Sequence, residues 1–116
     1  MKNKIEEPPK FKFKKDFYMK SRGAPAMLAV SCAHCNSWIM YYQKDGPGPL
    51  LRCYLDRIHY PKLLEKRQRK TFKKDTFPKL QCPSCQTVIG FPTIYKKENR
   101  PAYDLRCGFF SLKKIY

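Results

Sequence analysis

Two pairs of cysteines are the residues of this sequence best suited to bind a metal ion. Cys32 and Cys35 end one C-x-x-C motif, and Cys82 and Cys85 end a second. Two intervening residues let the chain turn so that both thiolates face one ion at about 2.3 Å. Two such motifs supply the four sulfur ligands of a closed, tetrahedral site. The sequence therefore predicts one structural Zn²⁺ bound by all four cysteines.

The competing chemistry for a C-x-x-C motif is thiol–disulfide exchange. A redox-active pair lies at the start of a helix, whose dipole stabilises the thiolate. Here strand-like residues follow both motifs, at 38–42 and 87–91, which favours metal binding. The N-terminus lacks the apolar core of a secretory signal, so we expect a cytoplasmic protein whose thiols stay reduced. An organellar matrix is the alternative.

The remaining cysteines and histidines are predicted to stay outside the metal site. Cys53 and Cys107 stand singly on predicted strands, and we expect both to be small, buried hydrophobic side chains. His34 lies inside the first motif, where intervening side chains usually point away from the metal. A second metal site at Cys53 and Cys107 would need two more ligands, and only His34 and His59 are spare, so we expect neither histidine to bind a metal ion.

The charge of the chain indicates a polyanionic partner. It has 25 Lys+Arg against 9 Asp+Glu, a net charge of +16, far more than solubility requires. Nucleic acid is the first candidate partner, an anionic membrane surface the second, and a merely basic soluble protein the remaining alternative. Lys outnumbers Arg, which suits phosphate contact better than base reading. No apolar run approaches the length of about 18 residues that a membrane span needs.

Residues 1–25 are predicted to form a basic, aromatic-rich N-terminal tail. One interpretation is a free amphipathic strand, and the other is an extended tail that orders only against RNA or DNA. We favour the second, because prolines at 8, 9 and 25 bound a segment with no obvious pairing strand. The predicted nucleic-acid contacts here are Lys10, Phe11, Lys12, Phe13, Lys14, Lys15, Phe17, Tyr18, Lys20 and Arg22.

Residues 61–79 are predicted to be a basic linker that contains a short helix. Pro61 suits the first helical position, and good helix formers follow it. The segment 62–79 has eight basic residues and two acidic ones. A solvated surface helix is one interpretation, but two acids cannot balance eight bases, which favours a surface that faces phosphates. The predicted contacts, all in what we call the basic insert (residues 62–74), are Lys62, Lys66, Arg67, Arg69, Lys70, Lys73 and Lys74.

Short β-prone segments predict a mainly β domain over residues 26–116. The apolar run 27–30 leads into the first C-x-x-C motif. The strand 38–42 is predicted to pair with 50–58 as a hairpin around a Gly- and Pro-rich turn at 45–49.

The last third of the chain repeats this arrangement. Residues 87–91 and 94–95 are predicted to form a strand, 96–99 a turn and 103–112 a final strand. Each C-x-x-C motif follows an apolar approach and precedes a predicted β-hairpin. The domain thus divides into two similar β halves joined by the basic linker.

The order of these motifs resembles the Yippee-like, or β-tent, family. The matching residues are 32–35, 51–55 and 82–91, and 103–110 matches in character. The resemblance covers residues 28–112 and implies two antiparallel sheets pinned at one zinc ion. The four motif cysteines carry over as its ligands, whereas the tail and the basic insert lie outside the family pattern. Because functions in that family are mostly unknown or protein-binding, the resemblance bears on fold more than on role.

A related zinc-bearing β fold, methionine sulfoxide reductase B, suggests an enzyme instead. Its reactive cysteine lies on a late strand, to which residues 105–107 are similar. However, that family has Gly-His after the second motif, where this chain has Gly90-Phe91. No general acid, Ser/His/Asp set or phosphate loop accompanies the cysteines, so we expect no enzyme.

Together these patterns predict a non-enzymatic, zinc-stabilised RNA-binding protein, ribosomal or ribosome-associated. It would contact rRNA through the tail and the basic insert, have neighbouring ribosomal proteins as partners, and bind no small-molecule substrate. The alternatives are a Yippee-like protein-interaction module and a small DNA-binding zinc protein. No recognition helix accompanies a C-x-x-C motif, which weakens the DNA interpretation.

Overall fold

Two antiparallel four-stranded sheets form the framework of the computed structural model, which describes residues 11–116. The mainly β, two-sheet prediction is confirmed. The strands in chain order are β1 (Pro25–Cys32), β2 (Trp38–Asp45), β3 (Arg52–Tyr54), β4 (Ile58–Tyr60), β5 (Leu80–Gln81), β6 (Val88–Tyr95), β7 (Arg100–Leu105) and β8 (Phe110–Lys114). The first sheet has the order β4-β2-β1-β8, and the second has the order β3-β7-β6-β5.

Each C-x-x-C motif forms the turn of a hairpin. The first motif connects β1 to β2 in the first sheet, and the second connects β5 to β6 in the second sheet. Apolar residues from these strands pack against one another between the sheets and form the buried core. Buried side chains of this core include Val30, Met40, Tyr42, Ile89 and Tyr103.

The predicted hairpin between 38–42 and 50–58 forms only at its end, where Ile58 pairs with Tyr42. A 3₁₀ turn at Leu55–Arg57 divides the second segment, so that β3 pairs with β7 in the second sheet and β4 pairs with β2 in the first. The alternating sequence pattern identified an extended segment but carried no information about its partner. Because Leu55 and Ile58 are both buried, this turn carries the chain from one sheet to the other without leaving the core.

The predicted single strand 103–112 is also corrected. Two strands, β7 and β8, occupy this region, and they belong to different sheets. A turn separates them, where Gly108 has a φ of 85°, a conformation that side chains with a Cβ rarely adopt. Cys107 lies in this turn and is exposed, so its expected burial is wrong, whereas Cys53 is fully buried as expected.

The two halves are therefore interlocked. β3 comes from the first half of the chain but pairs in the second sheet, and β8 returns from the second half to pair with β1. A short helix, α2 (Lys62–Glu65), and a 3₁₀ segment at Lys66–Arg69 form the predicted basic helix between the halves. Pro61 is the N-cap of α2 rather than its first helical residue, so the helix begins one residue later than predicted.

Residues 11–22, which we call the N-terminal strap, pack against the domain. The sequence predicted a tail that orders only against RNA or DNA, whereas these residues contact the domain of their own chain. They include a short helix, α1 (Phe17–Arg22), that the side chain of Asp16 caps by accepting from the Met19 N–H at 3.1 Å. Lys10 and the rest of residues 1–10 lie outside the described part of the chain.

Candidate metal centre

The four motif cysteines meet at one point between the two sheets. Their Sγ atoms all lie within 4.8 Å of one another. The Sγ atoms of Cys32 and Cys85 are 3.7 Å apart, and those of Cys35 and Cys82 are 3.5 Å apart. A disulfide has an S–S distance of about 2.05 Å, whereas a tetrahedral ion with metal–sulfur bonds of about 2.3 Å separates its ligands by about 3.8 Å. The cluster therefore fits one four-coordinate metal ion.

The two motifs fold into the same backbone turn. In the first, the Cys32 N–H donates to the Ser37 carbonyl at 2.8 Å, and the Asn36 N–H donates to the Cys32 carbonyl at 2.8 Å. In the second, the equivalent bonds join Cys82 to Thr87 at 2.9 Å and Gln86 to Cys82 at 3.0 Å. The residue after the last cysteine is left-handed in both turns, with φ of 66° at Asn36 and 67° at Gln86. This shared geometry turns both sulfur atoms of each motif toward the cluster.

Hydroxyl groups form a second layer around the sulfur atoms, and sequence reasoning missed them. The Ser37 Oγ lies 3.3 Å from the Cys35 Sγ, and the Thr87 Oγ1 lies 3.1 Å from the Cys85 Sγ. Ser37 and Ser84 are hydrogen bonded at 2.9 Å, which links the two motifs directly. The available signal was a Ser or Thr two residues after the last cysteine in both motifs. Such groups orient metal ligands and stabilise their anionic form.

These contacts and burial shift the pKa values of the motif thiols in opposite directions. The hydroxyl and then the backbone N–H of Ser37 lower the pKa of Cys35 to about 6, and the hydroxyl of Thr87 likewise lowers the pKa of Cys85. Burial raises the pKa of Cys82 to about 11. The hydroxyl groups thus favour the thiolate forms of Cys35 and Cys85, while the charge of a bound cation would favour ionisation of Cys82.

The two histidines lie elsewhere. His34 is exposed on the first motif, and the metal cluster found among residues 11–116 consists of the four cysteines. The His59 Nε2 lies 2.9 Å from the Gln43 Oε1. Burial, followed by the nearby charges of Lys14 and Arg57, lowers the pKa of His59.

The basic insert holds most of its predicted phosphate contacts at the surface. Two of its arginines are already engaged: the Arg67 Nη1 donates to the Tyr103 hydroxyl at 3.0 Å, and the Arg69 Nη2 pairs with Glu65 at 2.7 Å. All of its lysines are exposed, namely Lys62, Lys66, Lys70, Lys73 and Lys74.

The strap instead turns many of its predicted contacts inward. The Phe11 ring lies 5.8 Å from the Tyr41 ring, and the Tyr116 hydroxyl bonds to the Phe11 backbone. Lys14 donates through Nζ to the Asp56 carbonyl at 2.6 Å, and burial lowers its pKa. Of the predicted contacts in the strap, Phe13, Tyr18 and Arg22 are also half-buried, and Lys12, Lys15, Phe17 and Lys20 are exposed.

A buried ion-pair network holds the strap against the domain, and no sequence pattern predicted this network. Arg57 is 1% exposed and pairs with Asp16 at 2.6 Å and with Asp45 at 2.8 Å. Arg57 belongs to the 3₁₀ turn between the sheets, so the strap is tied to the point where the chain crosses over.

Arg100 forms the second half of this network. Its Nη2 pairs with Asp56 at 2.7 Å and its Nη1 with Glu98 at 2.9 Å. Its guanidinium stacks between the rings of Tyr18, at 3.9 Å, and Tyr54, at 3.8 Å. Glu98 also pairs with Arg22 of the strap at 2.6 Å. This network thus engages four carboxylates with three arginines, so it leaves the excess positive charge of the chain on its other side chains.

Comparisons with protein-family models, with curated proteins and with solved structures yield no match. Among residues 11–116, no helix combines the length and the apolar character needed to cross a membrane.

Proposed function

We propose that this protein is a zinc-stabilised RNA-binding protein, ribosomal or ribosome-associated. Support for the ion comes from the donor set, since four cysteine sulfurs at tetrahedral spacing suit Zn²⁺. We propose one structural Zn²⁺ that joins the hairpins of the two sheets. The Yippee-like resemblance belongs to the same proposal, because each C-x-x-C motif closes a hairpin of a different sheet. This role requires no catalysis, and neighbouring ribosomal proteins are proposed as further partners.

The observation that carries the RNA proposal is the exposure of the lysines in the basic insert. Among residues 11–116, the ion pair that involves the insert is the one between Arg69 and Glu65. The five lysines of the insert are therefore free to meet phosphates. Such contacts place a protein on RNA through shape and charge rather than through base reading.

Exposed residues of the strap supply a second contact surface. Lys12, Lys15 and Lys20 face solvent, and Phe17 keeps 73% of its surface exposed. An exposed aromatic ring beside lysines can stack on an unpaired base while the lysines meet the backbone. The half-buried aromatics of the strap are not needed for this role.

Affinity for a structured RNA, measured against salt concentration, tests the proposal. If about six phosphates are contacted, affinity should fall by roughly a thousandfold between 50 and 200 mM salt. The variant Lys66→Glu, Lys70→Glu, Lys73→Glu and Lys74→Glu should reduce the log–log slope by about three to four. Arg67 and Arg69 are left unchanged in this variant because their contacts support the fold.

The matched control reverses four exposed lysines elsewhere, namely Lys96, Lys97, Lys113 and Lys114. This control has the same net charge as the insert variant. The two variants should therefore differ in RNA affinity only if the basic insert is the surface that binds RNA. Equal losses in the two variants, or a flat salt dependence in the wild type, would contradict the proposal. Elemental analysis of all three proteins should give about one zinc ion per chain.

A further inference from the structure

A cavity of about 240 Å³ lies between α2 and the second C-x-x-C motif. As formed by residues 11–116, its wall is mostly aliphatic and contains no aromatic ring. Leu63 lines it and keeps 70% of its surface exposed, whereas the neighbouring Leu64 is buried. The apolar residues of the wall are Ile39, Pro61, Leu63, Leu64, Pro78 and Pro83. A largely exposed leucine beside an apolar cavity is typical of a surface that binds another molecule.

The charged side chains around this cavity are cationic. Arg67 and Lys79 line it, and none of the described residues that line it carries a carboxylate. Lys62 and Lys66 are exposed on the same helical segment, so the basic character extends beyond the wall. Glu65, the acid of that segment, is engaged by Arg69 at 2.7 Å.

We propose that this cavity binds an acidic peptide segment of a partner protein. An aliphatic side chain of that segment enters the cavity beside Leu63, and flanking Asp or Glu residues meet Arg67 and Lys79. The aliphatic wall favours a peptide over RNA, because bases are held mainly on aromatic rings, which this wall lacks. Apolar centres with basic rims select partners of opposite charge. This inference does not depend on RNA binding.

A library of random peptides displayed on phage, selected on the full-length, metal-loaded protein, provides the probe. The expected result is an enriched motif with Leu, Ile or Met beside Asp or Glu. The best peptide is then labelled and its affinity measured by fluorescence anisotropy. Leu63→Ser should weaken it by about tenfold, as for a central interface side chain. Because Leu63 is largely exposed, this substitution should preserve folding and metal content.

Leu112→Ser is the matched control. Leu112 is 42% exposed on β8, an edge strand of the first sheet, and does not line the cavity. It should leave peptide affinity unchanged. Methyl resonances of the buried wall residues Ile39 and Leu64 should shift on addition of peptide but not of structured RNA. An enriched motif without acidic or aliphatic residues, no enrichment, or equal losses in both variants would overturn the inference. Shifts of these methyls with RNA alone would also overturn it, in favour of a nucleic-acid pocket.

The same variants separate this inference from the proposed function. Leu63→Ser should leave RNA affinity and its salt dependence at wild-type values. Unchanged RNA binding with no peptide selected would refute the peptide site alone. Salt-independent RNA affinity together with a peptide that Leu63→Ser weakens would refute the RNA proposal alone.

Discussion

The N-terminal strap and the basic insert are alike in sequence but differ in their surroundings. Both are rich in lysine and arginine, and both contain few acids. In the strap, Lys14 and Arg22 donate to carbonyl or carboxylate groups of the domain. In the insert, the lysines point into solvent. A basic segment therefore offers its charge to a partner only where the fold brings no acceptor to it.

The source of the difference is the position of the acids in space. In the strap, Arg22 pairs with Glu98 and Asp16 pairs with Arg57, and both partners are distant from the strap along the chain. The insert lies beside its own Glu65, which one arginine occupies. Each of the following experiments alters one side of this comparison.

The largest effect should come from Cys82→Ser, which removes the support that both segments share. A Cys₄ site contributes its binding free energy directly to folding, so this variant should not fold cooperatively. The measurements are metal content, thermal unfolding and the rate of proteolysis within the strap. Cys107→Ala should keep the metal and the fold, because Cys107 is exposed and outside the cluster. A folded Cys82→Ser protein without metal would contradict a structural role for the site.

Arg100→Met should release the strap at a cost of about 3–5 kcal/mol, typical of breaking a buried ion pair. Asp56, Glu98 and the ring of Tyr18 each lose a contact with Arg100 together. Arg52→Met is the control, since Arg52 stacks on Tyr95 at 4.1 Å without an ion pair among the described residues. It should cost no more than about 1 kcal/mol. Urea unfolding measures both, and equal costs would mean that the network does not fasten the strap.

Acid should loosen the strap. The hydrogen bond from Arg57 lowers the pKa of Asp16. Burial alone would raise the pKa of Glu98, but hydrogen bonds from Arg100 and Arg22 hold it below its ordinary value. Lowered pKa values mean that this stabilisation is complete above the ordinary carboxyl range, near pH 4. It is then lost as the pH falls through the lowered values.

The amide resonance of Met19 reports this titration, because its N–H donates to Asp16. In the wild type it should move below pH 4 together with increased proteolysis of the strap. Asp16→Asn should abolish the Asp16 contribution and leave a weaker strap at neutral pH. A Met19 resonance that titrates at the ordinary carboxyl pKa would show that the pair with Arg57 is weak in solution.

The smallest effect on stability should come from reversing the exposed lysines of the strap. Lys12→Glu, Lys15→Glu and Lys20→Glu together should change unfolding free energy by about 0.5 kcal/mol each or less. RNA affinity should fall, but by less than in the insert variant, because the strap exposes fewer cations. Measuring the RNA affinity of both variants against salt concentration tests this order. A larger loss in the strap variant would reverse the order of the two surfaces.

Local sequence determined the features that depend on near neighbours. The spacing within each C-x-x-C motif identified all four metal-ligand candidates, because two intervening residues specify a tight turn. Alternating apolar residues identified extended segments, and Lys96–Asn99 forms the predicted turn between β6 and β7. The net charge was likewise readable without a structure.

Only the tertiary structure decided which strands pair and which charges remain exposed. β3 and β8 each join the sheet of the opposite half, because strand pairing is set by non-local burial rather than by order along the chain. In the sequence, nothing distinguishes Arg57 and Arg100 from exposed basic residues. Both are nevertheless buried, because acidic residues from distant segments form ion pairs with them. Charge pairing depends on distance in space, which no composition or local pattern records.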